Sequence, residues 1–373
     1  MSELRRRLLY AKPKEDYSMY AVHKKVNPAV MAICYAQGWA ANENYMTFEE
    51  AAAVTSIGTI FAVNTITSFD EFQYFTGVTA IPNNAFNKSG SKLASIKLPP
   101  NIVSIGTLAF RYTLLTEFTI TPSITSIGNT AFQDINSSYI DITLDNNNLM
   151  ASYNGFLINA PTRNFYVGEN CTNVAVYDNC YYSTDYKTLY AASKLRDNVS
   201  FHPNCTNIGG SYACRYVDIT SLVIPSNITS IGMQAFANCK SLLSVNLGNA
   251  QIQILNNTFI GCSNLTGSVD LSNVRALNGT PFRYSKLVLI DCGSQISALG
   301  QIVQDCNYVT TLIVRRTTPP TLHTISATRL SSNNALVYVP DANVEDYKAA
   351  NVWSTIADII KPLSEYQSGG VNT

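Results

Sequence analysis

The sequence predicts an α/β repeat solenoid, rich in β-strand with short helical turns, and three observations carry that prediction. The heptapeptide Ser230-Ile231-Gly232-Met233-Gln234-Ala235-Phe236 has near copies at Ser104 to Phe110 and Ser126 to Phe132, with weaker ones ending at Phe259 and Phe282. Equivalent phenylalanines recur at a fixed interval, 22 residues from Phe110 to Phe132 and 23 from Phe236 to Phe259. Short alternating stretches ending in proline adjoin the copies, as in Ser95-Ile96-Lys97-Leu98-Pro99 and Glu117 to Pro122. A period in this range marks a stack of small units, none of which can bury its apolar side alone.

Each unit is expected to run strand, bend, helical turn. Period two buries Ile96 with Leu98 and Phe118 with Ile120, and proline, lacking a donor, ends the strand. Ile, Ala and Phe of the motif fall at i, i+4 and i+5 and can share one face of a helical turn.

Ahead of the repeats, residues 1–26 form a basic arm with seven Lys or Arg against three acids, including Arg5, Arg6, Arg7, Lys12 and Lys14. It reads either as a solvated tail or as a docking arm for an acidic assembly partner. Residues 27–54 read as a helical N-terminal cap. Asn27 caps a helix whose first residue is Pro28, and Thr47 with Glu50 forms a capping box for a second. Regular rungs are expected over 55–132 and again over 214–340.

Between them, 133–213 breaks the period and reads as irregular tyrosine-rich repeats or an insertion. Its Tyr177, Tyr181, Tyr182, Tyr186 and Tyr190 are the candidate binding surface, because tyrosine buries a large area at low entropic cost; half-buried strand packing is the alternative. In the later rungs Val245, Leu247, Val269, Leu271, Ile290, Cys292, Leu312 and Val314 should point inward. The outward row is then Asn246, Asp270, Asp291 and Ile313, with Lys97 and Thr119 in the earlier rungs. Residues 341–373 should hold a C-terminal capping helix, capped by Asn343 and apolar through Val344, Tyr347, Val352, Trp353 and Ile356, followed by a frayed tail.

Composition narrows the function classes. Charged residues are 13%, hydrophobic residues 46%, and the formal net charge is zero. That balance argues against specific nucleic-acid binding, and no apolar run is long enough for membrane insertion. Nine cysteines occur without Cys-x-x-Cys spacing. Cys239 and Cys262 follow repeat phenylalanines by three residues, as small buried residues of a repeat would. The three histidines sit in no metal or nucleophile motif, and no phosphate-cradling loop or nucleophile elbow is present. The reading is therefore not an enzyme, with no catalytic residue, cofactor or metal.

The Ser-Ile-Gly-x-x-Ala-Phe motif, with Asn238-Cys239 after it and Ile-Pro-Ser-Asn-Ile-Thr before it, resembles the BspA-like branch of leucine-rich repeat proteins. So does the ending, from Tyr338-Val339-Pro340 through Asp346-Tyr347-Lys348 to Trp353. The likeness covers roughly 55–363 and weakens across 133–213. It implies a curved leucine-rich solenoid used for surface attachment and protein binding. The N-terminal layout, leading into Ala53-Val54-Thr55-Ser56-Ile57-Gly58, is similar to proteins of gut Bacteroides and their phages. The first 14 residues lack the apolar run of a secretory signal. The expectation is cytoplasmic synthesis and incorporation into a virion, with non-classical passage to the cell surface as the alternative. The expected function is a binding and adhesion module whose partner is a protein or glycan on a bacterial surface, or virion proteins. A stiff spacer in a phage particle is the other reading.

Overall fold

The computed structural model describes residues 27–147, 149, 156, 157, 160–209 and 211–367. The basic arm, with Arg5, Arg6, Arg7, Lys12 and Lys14, lies outside them, as does the end of the expected tail. The chain divides into two compact units, Met1–Thr172 and Asn173–Thr373.

The described part of the first unit begins with α1 (Pro28–Ala36) and α2 (Phe48–Ala53). Asn27 Oδ1 accepts from the Ala29 N–H at 3.0 Å. At α2 the Glu50 N–H donates to Thr47 Oγ1 at 3.1 Å and the Thr47 N–H to Glu50 Oε2 at 2.7 Å. Two donors that a helix start would leave unpaired are thus satisfied. Between the helices, Trp39 lays its ring 6.2 Å from Phe61 and 6.4 Å from Phe75.

Rungs then follow, and a regular one contributes two strands rather than one. The Ser-Ile of the motif is itself a strand: β2 (Ala80–Ile81), β4 (Ser104–Ile105) and β6 (Ser126–Ile127) form one parallel sheet. The alternating stretches supply β1 (Ser68–Phe69), β3 (Ser95–Ile96), β5 (Glu117–Ile120), β7 (Ile140–Leu144) and β8 (Thr162–Val167). Of these, β1 pairs with β3, and β5, β7 and β8 form a sheet of their own. The motif glycines allow close rung approach: a Cβ on Gly106 would lie 2.4 Å from Asn83 N, and one on Gly128 2.5 Å from Thr107 N.

The expected helical turn does not form. Residues two before and two after the motif phenylalanine take positive φ, as at Gln234 (55°) and Asn238 (57°), and at Thr130 (64°) and Asp134 (53°). A left-handed residue every fourth position cannot continue an α-helix. The N–H groups of Gln234, Phe236 and Asn238 instead donate to the next rung, to the carbonyls of Asn256, Thr258 and Ile260 at 3.1, 3.1 and 2.8 Å. Those of Ala235 and Ala237 close turns within their own rung. The core reading of the motif holds, since Ile231, Ala235 and Phe236 are buried.

The second unit opens with an antiparallel meander, β9 (Val174–Tyr177), β10 (Cys180–Ser183) and β11 (Thr188–Ala192). Parallel pairing resumes from β11 to β12 (Asn207–Ile208) and β14 (Ser230–Ile231), while β13 (Ser221–Val223) pairs with β15 (Ser244–Asn246) and β16 (Ile252–Asn256) with β18 (Val274–Asn278). The long parallel sheet runs β17 (Thr266–Leu271), β19 (Lys286–Cys292), β20 (Thr311–Val314), β21 (Leu336–Val339) and β22 (Ile360–Pro362). All eight residues expected to point inward along these rungs are buried. Asn246 and Asp270 are exposed and Asp291 is half-exposed, as expected of an outward row. Ile313 departs from that row and is buried: it neighbours Tyr338 in register, and Tyr366 packs on Tyr338 at 5.1 Å.

The C-terminal part differs in three further ways. A helix not anticipated, α3 (Thr324–Ser332), starts behind His323, whose Nδ1 accepts from the Ile325 N–H at 3.2 Å. The expected last helix is short, α4 (Val344–Ala349), and Asn343 does not cap it but donates to Asp346 Oδ2 at 3.0 Å. Beyond it the chain adds β22, one strand more than the pattern suggested. Trp353 Nε1 donates to the buried carbonyl of Pro320 at 2.8 Å, anchoring this segment.

All nine cysteines are buried, and none forms a disulfide. The thiols of Cys239, Cys262 and Cys306 donate to carbonyls of the preceding rung, those of Cys214, Phe236 and Phe282, at 3.3, 3.1 and 3.1 Å. Burial pushes the Cys306 thiol up to about 11, so it stays neutral at pH 7.

The motif phenylalanines stack along each unit. Phe86, Phe110 and Phe132 lie 5.3 and 5.2 Å apart at 7° and 14°, and Phe236, Phe259 and Phe282 lie 5.6 and 5.8 Å apart at 11° and 2°. Substituting Phe236 by Ala removes a buried ring from such a column and should cost about 3–5 kcal/mol. A fall in the thermal and urea unfolding midpoints checks this, and unchanged midpoints would contradict the repeat packing.

Candidate functional site

In the first unit the outward positions of successive strands align into one polar row. Thr119 pairs in register with Thr143, and Thr143 with Tyr166. Lys97, one period before Thr119, extends the row. Tyr166 is 50% exposed. These residues line a groove of ≈ 500 Å³ with Ile96, Leu98, Glu117 and Asp141.

The groove exists because the sheet is interrupted. Of the two neighbouring rungs, β3 pairs with β1 and β5 with β7, and no sheet joins β3 to β5. Ile96 and Leu98, expected in the core, are consequently half-buried and form one wall. Phe118 and Ile120 are buried as expected.

An ion pair stiffens the far side. A register shift in β8 brings Arg163 and Asn164 together onto Asp141. Arg163 Nε and Nη2 donate to the two carboxylate oxygens at 3.1 and 2.6 Å, and the Asn164 N–H adds a third bond at 3.2 Å. The guanidinium also lies 3.4 Å from the centre of the Tyr139 ring. Burial works against the Asp141 charge, but the hydrogen bonds from Arg163 and Asn164 and the guanidinium charge prevail. They hold the carboxyl below the ordinary carboxylate range.

The second unit's outward row is polar too, yet its groups are engaged locally. Asn246 Oδ1 accepts from the Gly248 N–H and Asp270 Oδ1 from the Ser272 N–H, at 2.7 and 2.8 Å. Asp291 takes Arg315 Nε and Nη2 at 2.9 and 2.6 Å.

The candidate tyrosines do not form one surface. Tyr181 and Tyr182 are buried, Tyr182 within the hydrophobic core of the second unit, so neither can serve as a contact residue. Tyr177 and Tyr186 are half-buried and pack on His202, with ring centres 4.8 and 4.1 Å away, the latter stacked at 14°. The His202 N–H donates to Tyr182 Oη at 3.3 Å. Tyr190 is half-buried in β11. Among the described residues no group of three or more His, Cys, Asp or Glu is arranged to hold a metal, and no helix is long and apolar enough to cross a membrane.

Comparison with known proteins supplies the family. The family model for the BspA type leucine rich repeat region matches residues 55–187 and 206–335, in 6 copies. The chain belongs to the BspA-type leucine-rich repeat family. Among solved structures it is similar in fold to the pneumococcal vaccine antigen PcpA, at 17% identity and a TM-score of 0.53, covering 77% of this chain and 76% of that one. A leucine rich cell surface protein of Faecalibacterium prausnitzii is 19% identical with a TM-score of 0.43, covering 66% of this chain and 62% of that one. The chain therefore spans less than two thirds of that protein's length. A leucine-rich repeat protein of Eubacterium ventriosum is 18% identical, TM-score 0.42, covering 72% of this chain and 75% of that one. No curated protein matches the sequence.

Within this BspA-type frame, Lys97 and Thr119 were legible as outward positions and both line the groove. Tyr166, Thr143 and Asp141 were not, because the motif fails beyond Phe132 and only the β5, β7, β8 register assigns them. The Asp141 contacts yield a prediction. A carboxyl held low in the folded state contributes stability above the ordinary carboxylate pKa, and that contribution disappears as pH falls through the folded value. Urea titrations of wild type and Asp141→Asn should differ most near pH 7 and converge below the ordinary value of 3.8; a gap independent of pH would contradict the ion pair's contribution.

Proposed function

We propose that this BspA-type repeat chain is a non-enzymatic recognition module that binds a protein or glycan of a bacterial surface through the outward row of its first unit. The observation that carries the reading is the half-exposed Tyr166 in register with Thr143 and Thr119 above a groove that the fold does not close. An aromatic ring flanked by hydroxyls, with Lys97 and Glu117 at the margin, offers apolar contact and directional hydrogen bonds to a neutral polar ligand. The zero net charge of the chain favours such short-range contacts over electrostatic capture.

On the same reading the chain is virion-associated. The net-positive arm over 1–26 is the part that docks, and the repeats are the part displayed. The helical pair α1 and α2 and the closing segment around Trp353 protect the apolar ends of the stack, as terminal elements of repeat proteins must. A second role as spacer draws support from the stacked phenylalanine columns, which give each unit a continuous rigid interior. Deleting residues 1–26 should then abolish incorporation into particles while leaving the repeats folded; normal incorporation would remove the docking role.

The binding reading is tested by retention on bacterial envelope fractions. Wild type should be retained, and Tyr166→Ala should reduce retention at least tenfold, about 1.4 kcal/mol, with the melting temperature unchanged. Equal retention of both proteins, or none of either, would count against the groove.

A further inference from the structure

The tripeptide Phe-Arg-Tyr, or its variant with Cys in the first place, occurs at Phe110 to Tyr112, Cys214 to Tyr216 and Phe282 to Tyr284. Rung register shows that these are equivalent positions. The Phe110 N–H donates to the Ala131 carbonyl at 2.9 Å, and the Cys214 N–H donates to the matching Ala235 carbonyl at 2.8 Å. In each tripeptide the arginine lies against the following tyrosine ring, at 4.3 Å for Arg111, 5.1 Å for Arg215 and 4.6 Å for Arg283.

Two of the three arginines meet an aspartate from the next rung. Arg111 Nε and Nη2 donate to Asp134 Oδ2 at 3.1 and 2.9 Å, and Arg283 Nε donates to Asp305 Oδ2 at 2.7 Å. Asp134 and Asp305 sit two residues after the phenylalanine position, both with positive φ, 53° and 54°. The residue at that place after Arg215 is Asn238, with φ 57°. Asparagine has the same shape and lacks the charge. Its amide oxygen is also turned toward the next rung, where a Cβ on Gly261 would meet it at 2.2 Å.

Arg215 is left without a counter-charge. Its Nε is covered and has no acceptor, and among the described residues the guanidinium has no ion pair. Tyr212 also lies near it at 5.2 Å, so the group packs against two rings. The ammonium of Lys194 is buried nearby. Burial first, and the like charge of Arg215 after it, push that ammonium down to about 8. A half-buried arginine packed against aromatic rings and left without a counter-charge is a pre-organised anion receptor through its outer amino groups.

We propose that Arg215, packed against Tyr212 and Tyr216, takes a carboxylate from an acidic segment of a partner polypeptide, in place of the aspartate that its counterparts receive from within the chain. The counterparts define the chemistry: a single carboxylate oxygen on a short side chain, delivered to the arginine beside its tyrosine. One guanidinium suits a monoanion. A phosphate dianion would call for further reachable cations, and Lys194 is buried. This site lies on a different row from Tyr166 and does not depend on the groove.

The test follows the Arg215 Nε–Hε signal by NMR in the full chain during titration with acetyl-Gly-Asp-Gly-amide. Acetyl-Gly-Asn-Gly-amide and inorganic phosphate serve as controls. The aspartyl peptide should shift the signal saturably at millimolar concentration, and neither control should. Asn238→Asp, isosteric and offering the carboxylate within the chain, should weaken the peptide's effect at least about fivefold and raise the melting temperature by about 1–3 °C. Arg215→Gln, which keeps a neutral side chain of similar length, should move no other signal with the peptide. Tyr166→Ala should leave the titration unchanged, which separates this site's failure from the groove's. No shift with the aspartyl peptide, an equal shift with the asparaginyl peptide or with phosphate, or an undiminished shift in Asn238→Asp would each overturn the proposal.

Discussion

The bonds from one motif turn to the next constrain everything else in the chain. In the rung of Phe236, alternate N–H groups leave the turn and reach carbonyls one period later, while the intervening ones close the turn itself. This alternation requires left-handed backbone at Gln234 and Asn238, a cost of order 1 kcal/mol or more at each. Against it stand three inter-rung bonds in a buried setting, where each unmade donor would cost about 1–3 kcal/mol. The bonds win, and the turn is a ribbon rather than a helix. Asn, Asp or Gly at many of these places, as at Asn84, Asp134, Asn257 and Gly261, lowers the cost further.

Once the period is locked in this way, side chains one rung apart become neighbours by necessity. Phenylalanines stack on phenylalanines, thiols reach the carbonyls of the previous rung, and Arg111, Arg163, Arg283 and Arg315 find aspartates 22 to 24 residues away. The same geometry turns alternate residues of each strand outward. Tyr166 is outward and half-exposed for that reason, and Arg215 lacks an acid because the next rung offers Asn238 instead of an aspartate.

Functional potential thus concentrates where the repeat is broken or incomplete. The gap between β3 and β5 opens a groove that a continuous sheet would close. The meander of β9 to β11 does the opposite: it buries Tyr181 and Tyr182 and engages Tyr177 and Tyr186 with His202. A cluster of tyrosines in sequence is therefore no measure of a cluster on the surface, since what packs over each face of β10 decides which rings see solvent.

Periodicity alone determined the repeat, the buried identity of Ile231, Ala235 and Phe236, the inward set from Val245 to Val314 and the burial of Cys239 and Cys262, because each follows from local spacing repeated along the chain. The caps of α1 and α2 were legible for the same reason: their partners lie within three residues. What only the tertiary structure decided depends on residues about a period or more apart. The ribbon in place of the helical turn, the burial of Ile313 behind Tyr338, the strand β22, the groove at Tyr166 and the unmatched Arg215 all rest on which rung lies beside which. Register sets those neighbours through backbone bonds that carry no side-chain signature.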